Sequence, residues 1–123
     1  MKIIDEHTFE GKGYHPFLIT DRWQVAYLNY AEAESLEQIE KLDIHHQTDE
    51  VFILLQGKAA LIGASVTDQN ITYDVVNMQP GSQVLIIENN DTHLNDFEFF
   101  ELTESQKSQL RECVTKIVSL TEN

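Results

Sequence analysis

The sequence contains few cysteines, few prolines and few basic residues. Cys113 is its single cysteine, so an intramolecular disulfide is excluded and nothing argues for an oxidising compartment. Only 8 residues are lysine or arginine, against 21 aspartates and glutamates, which gives a formal net charge of −13. This charge disfavours binding to phosphate backbones and anionic lipid, so nucleic acid and membranes are excluded as expected partners.

Long hydrophobic runs are missing as well. No window approaches the roughly 20 apolar residues of a membrane helix, and acidic residues stand where a signal peptide needs an apolar core. These features predict a cytoplasmic protein. With 123 residues, 14.2 kDa and 41% hydrophobic residues, the chain has the size of one domain, and we predict a single domain over residues 1–123.

Short apolar segments separated by turn signals occupy the first hundred residues. Such spacing predicts an all-β sandwich or barrel over about residues 1–102 rather than alternating strands and helices. Pro80-Gly81 marks one of the turns. The predicted strands cover residues 23–30, 40–45, 51–55, 59–64, 71–78, 84–87 and 92–102.

The last twenty residues differ in pattern. Thr103 and Gln106 have the spacing of a capping box, in which each side chain satisfies the other residue's backbone N–H. Apolar residues then recur at helical spacing, which predicts an amphipathic helix over about residues 103–120, packed on the outside of the barrel.

The candidate chemistry lies in the stretch 43–57. Asp43 and His45 are two residues apart, so on a strand they share a face. Glu50 begins the next strand, and a hairpin would bring it beside them, while Gly57 permits the turn that follows. The stretch therefore combines metal-ligand chemistry with a strand.

A fourth candidate comes from much later in the chain. His93 follows a turn, and closure of the sheet into a barrel would let it converge with Asp43, His45 and Glu50. Two imidazoles with a carboxylate form a known ligand set for catalytic zinc and for non-haem iron. These residues predict a site for one divalent metal ion, with a small-molecule pocket at the barrel mouth.

The spacing His45-x4-Glu50-x6-Gly57 resembles the first motif of the cupin superfamily, and Pro80-Gly81 followed by His93 resembles its second motif. The sequence of residues 48–57 is especially similar to that of a group of small single-domain bacterial cupins. The resemblance covers about half the chain. It implies a cupin double-stranded β-helix, or jelly-roll barrel, to which this chain adds a C-terminal α-helix.

In cupins the motif histidines and glutamate hold a divalent metal inside the barrel. The resemblance implies His45, Glu50 and His93 as ligands, with Asp43 as a fourth. Asp43 stands where the motif has its first histidine; if His46 were the ligand instead, the residue two before it would be an isoleucine, which cannot bind metal. His45 is therefore the preferred ligand.

The strand 51–55 is apolar on both faces and must be covered twice, once by its own core and once by another layer or subunit. Together with the habit of the family this predicts a homodimer. The metal would be zinc, manganese, iron or nickel, and the ligand a small oxygenated molecule such as a sugar or a carboxylate.

Two metal-free alternatives stay open. One is a binding module whose barrel is lined by aromatic side chains and binds a sugar-like molecule without a cofactor. The other is a sugar isomerase or epimerase that uses His45 or His93 as a general base. The pattern is compatible with an enzyme and with a binding protein.

Overall fold

The computed structural model describes residues 3–35, 38, 40–66 and 69–121. Of residues 34, 43, 44, 62–66, 69–77 and 117–121 it describes the backbone alone. Within these ranges the chain forms three antiparallel sheets followed by a C-terminal helix. The elements in chain order are β1 (Gly13–Ile19), β2 (Trp23–Asn29), a 3-10 helix (Glu32–Glu34), β3 (Lys41–Ile44), β4 (Val51–Gln56), β5 (Ala59–Val66), β6 (Gln69–Met78), β7 (Gln83–Asn89), α1 (Thr92–Asn95), β8 (Glu98–Glu101) and α2 (Glu104–Thr121).

The largest sheet has the strand order β1-β2-β7-β4. Across β2 and β7, Gln24 lies opposite Glu88 and Leu28 opposite Val84. β3 pairs with β8, and β5 pairs with β6. The prediction of a mostly β chain with a C-terminal helix is confirmed. Among the described residues the sheets do not close into a barrel, so the jelly-roll topology stays an expectation.

One face of the four-stranded sheet forms the hydrophobic core. Leu28, Met78, Val84 and Ile86 pack together there and are at most 4% exposed. Successive side chains of a strand point to opposite faces, so every second residue of β7 enters this core. The same alternation carries Glu88, two residues beyond Ile86, to a buried position on the core face.

β4 lies at an edge of the sheet rather than at its centre. Only Phe52 is half-buried, whereas Val51, Ile53, Leu54 and Leu55 are 41–51% exposed. Both faces of β4 therefore reach solvent. The described part of the chain does not bury the strand on both faces, as its apolar sequence requires.

Gly57 ends β4, as the sequence predicts. Its φ of +83° lies in the left-handed region, and a Cβ there would stand 2.6 Å from the Cα of Ser82. Only glycine fits both requirements. The Ser82 hydroxyl in turn donates to the carbonyl oxygen of Lys58, which ties the end of β4 to the start of β7.

The segment predicted as one strand over residues 92–102 is divided, so that prediction is wrong for its first part. Residues 92–95 form α1, and the strand β8 begins at Glu98. Asp91 has a φ of +63°, and its carbonyl accepts hydrogen bonds from the N–H groups of Leu94 and Asn95 at 2.9 and 2.8 Å. These local hydrogen bonds override the strand pattern and place His93 on a helical turn.

The C-terminal helix α2 begins where the sequence predicts. The N–H of Gln106 donates to the Thr103 hydroxyl at 3.2 Å, and the N–H of Thr103 donates to the Gln106 side-chain oxygen at 2.9 Å, which is the reciprocal capping box. Val114 is fully buried, so α2 packs against the body of the protein. Of the helices described, none combines the length and the apolar character that crossing a bilayer requires.

Candidate metal centre

The position of His45 is set by a residue 51 places further along the chain. Its Nδ1 lies 2.6 Å from the backbone carbonyl oxygen of Asp96. A carbonyl oxygen only accepts hydrogen bonds, so Nδ1 carries the proton and donates it. Nε2 lies across the ring and points away from Asp96, towards Glu50.

Asp96 also holds the residues that follow His45. Its carboxylate accepts the backbone N–H of His46 at 2.9 Å and that of Gln47 at 2.8 Å. The hydrogen bond from His46 lowers the pKa of the Asp96 carboxyl below its ordinary value of 3.8; partial burial opposes this shift, and the bond from Gln47 adds to it. The carboxylate is therefore charged at neutral pH and fixes the loop before β4.

Glu50 faces the Nε2 side of the His45 ring. Its Oε1 lies 3.3 Å from Nε2, and the two side chains are 13% and 10% exposed, respectively. A neutral Nε2 and a carboxylate oxygen both present lone pairs and repel each other at this distance. The contact is favourable when a cation lies at the two atoms, either a proton on Nε2 or a metal ion.

Glu88 brings a second carboxylate to the same place. Val51 lies opposite Ile87 across β4 and β7, so Glu50, one residue earlier, comes beside Glu88, one residue later. Glu88 is 6% exposed, and one ligand atom from each of His45, Glu50 and Glu88 lies within 4.8 Å of the others. Two carboxylates this close repel each other unless a positive charge is shared between them.

Two polar side chains orient Glu88. The Tyr14 hydroxyl donates to its Oε1 at 2.8 Å, and the Gln24 amide donates to the same atom at 2.9 Å. Gln24 is fully buried, and its own oxygen accepts the backbone N–H of Asp91 at 3.2 Å, which fixes the orientation of the amide. Glu88 is thus held from the side remote from His45.

His93 reaches this network but not the three-residue group. Its Nδ1 lies 3.0 Å from the Gln24 amide nitrogen, so Gln24 stands between His93 and Glu88. The His93 ring also lies 5.7 Å from the ring of Tyr14. The sequence-predicted ligand is therefore a neighbour of the site, and Glu88 occupies the third position of the group.

The other two candidates are placed differently. The side chain of Asp43 lies outside the described residues, so its prediction as a fourth ligand is unaffected. The side chain of His46 is 58% exposed, and its Nε2 lies 3.3 Å from Glu98 Oε2. Of the two adjacent histidines, the structure brings His45 to Glu50.

Sequence reasoning missed Glu88, Gln24, Tyr14 and Asp96. A signal for Glu88 exists, because the alternation of Val84 and Ile86 predicts that the residue at position 88 faces the core. No local pattern marks Gln24, Tyr14 or Asp96, whose hydrogen bonds to Glu88 or to the loop after His45 span 49 to 74 residues.

A cleft of about 510 Å³ lies elsewhere on the protein. Its lining includes Tyr27, Asn29, Leu55 and Gln83 and has no residue in common with the three-residue group. Asn29 lies opposite Gln83 at the far end of β2 and β7, five residues from the Gln24 end, or about 16 Å along the strand. The cleft and the candidate metal centre are thus separate.

Comparison with known proteins adds no assignment. A scan of the sequence against models of protein families finds no match, and a search of curated proteins finds no similar sequence.

Proposed function

We propose that this protein binds one divalent metal ion through His45 Nε2 and the carboxylates of Glu50 and Glu88, in the manner of a small cupin. The observation that carries the proposal is the approach of these three ligand atoms to within 4.8 Å of one another. The hydrogen bond to Asp96 supports it, because a ligating histidine usually donates its other ring N–H to a carbonyl or carboxylate oxygen.

The distance between His45 and Glu50 suits a common ion. Zinc–nitrogen and zinc–oxygen bonds measure about 2.1 Å, so adjacent ligand atoms stand about 3.0 Å apart in an octahedral site and about 3.4 Å apart in a tetrahedral one. The 3.3 Å between His45 Nε2 and Glu50 Oε1 lies between these values. A shared ion would also remove the repulsion between Glu50 and Glu88.

The donor set limits the choice of metal and its chemistry. One imidazole and two carboxylates suit zinc, manganese, iron or nickel better than a soft ion such as Cu(I), and the two negative charges balance a divalent ion. When bound, the ion supplies Lewis acidity towards a small oxygen-bearing molecule such as a sugar or a carboxylate. Tyr14, Gln24 and Asp96 hold the ligands in place.

The test is the metal content of protein purified without a metal-affinity tag. We expect about one equivalent of metal per chain, restored after chelation by adding manganese, iron, zinc or nickel. His45→Gln should abolish binding, and His46→Gln is the matched control because His46 lies next in sequence but faces Glu98. Metal well below one equivalent, unchanged by addition of these ions, would contradict the proposal.

A second candidate function needs no metal. The 3.3 Å contact between His45 and Glu50 also suits an imidazolium–carboxylate ion pair, and Glu88, Gln24 and His93 form a hydrogen-bonded row beside it. Such a site would bind a sugar-like molecule, or isomerise it with His93 as the base, because His45 in this ion pair carries a proton on both ring nitrogens. Thermal stabilisation of metal-free protein by a panel of sugars, lost in His93→Ala, would favour this candidate.

A further inference from the structure

Independently of the metal centre, we propose that the cleft of about 510 Å³ binds a small molecule through a primary ammonium group. This cleft lies between the segment 8–12, the end of β2, the end of β4 and the start of β7. It is called the amide cleft below, after the side-chain amides of Asn29, Gln56 and Gln83 in its lining.

One buried polar atom in the lining of the amide cleft has no hydrogen-bond partner. Asn29 is 9% exposed, and its Nδ2 donates to the backbone carbonyl oxygens of Phe9 and Gly11, at 2.9 Å each. Both amide hydrogens are therefore in use, and these two contacts fix which end of the amide is the oxygen. Oδ1 is buried and accepts no hydrogen bond from the protein. Because an unpartnered buried acceptor is destabilising, a donor on a bound molecule would stabilise it.

The two glutamines of the amide cleft present the same chemistry. Gln83 Nε2 donates to the carbonyl oxygen of Phe9 at 3.1 Å, and Gln56 Nε2 donates to that of Gly81 at 2.9 Å. Each nitrogen faces a backbone carbonyl, so each amide has its oxygen left to accept a hydrogen bond. Asn29 lies opposite Gln83 across β2 and β7, which places two of these amides side by side.

The buried hydroxyl groups of the lining add no donors for a ligand. The Tyr27 hydroxyl donates to the carbonyl oxygen of His7 at 2.7 Å, and the Ser82 hydroxyl donates to that of Lys58 at 2.8 Å. Glu10 contributes an exposed carboxylate. A ligand with several donors and a positive charge complements these acceptors, and the net charge of −13 attracts cations. A primary ammonium group has three N–H donors and one positive charge.

Two kinds of molecule carry this group. One is a plain amine, and the other is an α-amino acid, which adds a carboxylate. Lys12 also lines the amide cleft, two residues after Glu10, and its ammonium group could pair with that carboxylate. Phe9 and Leu55 provide apolar contact for the carbon chain in either case. The ammonium group is common to both, and the experiment below distinguishes them.

The test is a titration of isotope-labelled protein with n-butylamine, followed by nuclear magnetic resonance at neutral pH with a chelator present. We expect saturable shifts of the side-chain amide signals of Asn29 and Gln83. Butyltrimethylammonium, which has the charge but no N–H donor, and pentanoate, which has no ammonium group, should not bind.

Norvaline identifies the source of the ammonium group, because it is n-butylamine with a carboxylate on the carbon beside nitrogen. Binding of norvaline that is tighter than that of n-butylamine, and loses this advantage in Lys12→Ala, identifies an amino acid. Equal or weaker binding of norvaline identifies a plain amine.

Matched variants test the location without replacing Asn29, whose hydrogen bonds hold the segment 8–12. Leu55→Trp should fill the amide cleft and abolish binding, whereas Leu54→Trp, at a neighbouring residue of similar exposure outside the lining, should not. Glu10→Gln should weaken binding by roughly three- to fivefold, as expected for an exposed ion pair, and Glu6→Gln should leave it unchanged.

Three results would overturn the proposal. They are the absence of saturable shifts with n-butylamine, equal binding of butyltrimethylammonium, and unchanged affinity in a Leu55→Trp variant that has a native circular dichroism spectrum.

Discussion

His45 donates a hydrogen bond from Nδ1 to the backbone carbonyl oxygen of Asp96, with 2.6 Å between the two atoms. The Asp96 carboxylate at the same time accepts the N–H groups of His46 and Gln47. Asp96, the residue that follows α1, therefore fixes both the ring orientation of His45 and the loop after His45. This contact sets the direction of His45 Nε2, on which the candidate site depends.

Replacement of Asp96 should destabilise the protein. Asp96→Ala leaves two backbone N–H groups without their carboxylate, and we expect the free energy of unfolding to fall by about 1 to 2 kcal/mol. Urea denaturation followed by circular dichroism measures this change. Asp21→Ala is the control, because Asp21 is an exposed carboxylate and should change stability by less than about 0.5 kcal/mol.

The same carboxylate predicts a pH dependence. The folded-state pKa of Asp96 is lowered, so its contribution is present above the unfolded pKa near 3.8 and is lost as the pH falls through the lower folded value. Asp96→Asn cannot titrate at this position. The stability difference between the parent protein and Asp96→Asn should be constant above about pH 5 and shrink below pH 3.8. A difference that grows in acid would contradict this assignment.

Tyr14 should affect metal affinity more than fold stability. Tyr14→Phe removes the hydroxyl that donates to Glu88 Oε1 and keeps the ring. Loss of such a supporting hydrogen bond typically weakens metal binding by about 10- to 100-fold. Competition with a chromophoric chelator measures the affinity. Tyr30→Phe, at a half-buried tyrosine packed on the hydrophobic core, should leave it unchanged.

Gln24 should matter mainly for folding. Gln24→Leu keeps much of the volume but removes the amide that donates to Glu88 and lies 3.0 Å from His93 Nδ1. Because Gln24 is fully buried, we expect a loss of roughly 3 kcal/mol in the free energy of unfolding. Gln56→Leu is the control at an exposed glutamine. A loss of similar size in Gln56→Leu would contradict the assignment of the effect to the buried hydrogen bonds of Gln24.

A chelator should distinguish Glu88 from His93 as the third ligand. Metal at about 100 times its Kd stabilises a fold by about 2.7 kcal/mol, which corresponds to roughly 10 °C in Tm for a chain of this size. We expect chelation to lower the Tm of the parent protein and of His93→Ala, but not of Glu88→Gln. The opposite result would make His93 the ligand, as the motif spacing predicts.

Local patterns in the sequence were sufficient for several elements. The capping box of α2 depends on two residues three apart, and the strand pattern of β7 depends on simple alternation, so both could be predicted without knowledge of distant contacts. The pairing of His45 with Glu50 was predictable for the same reason, because only five positions separate them and both lie in the short loop between β3 and β4.

Contacts between distant segments decided the rest. Glu88 enters the candidate site because β4 and β7 pair in a register that places it beside Glu50. His93 does not join the three-residue group, because Gln24, 69 residues earlier in the chain, lies between His93 and Glu88. The exposed edge of β4 likewise follows from strand order. Such relationships depend on non-local hydrogen bonds and packing, whereas the sequence by itself determined the charge, the strand periodicity, the C-terminal helix and the candidate histidine–glutamate pair.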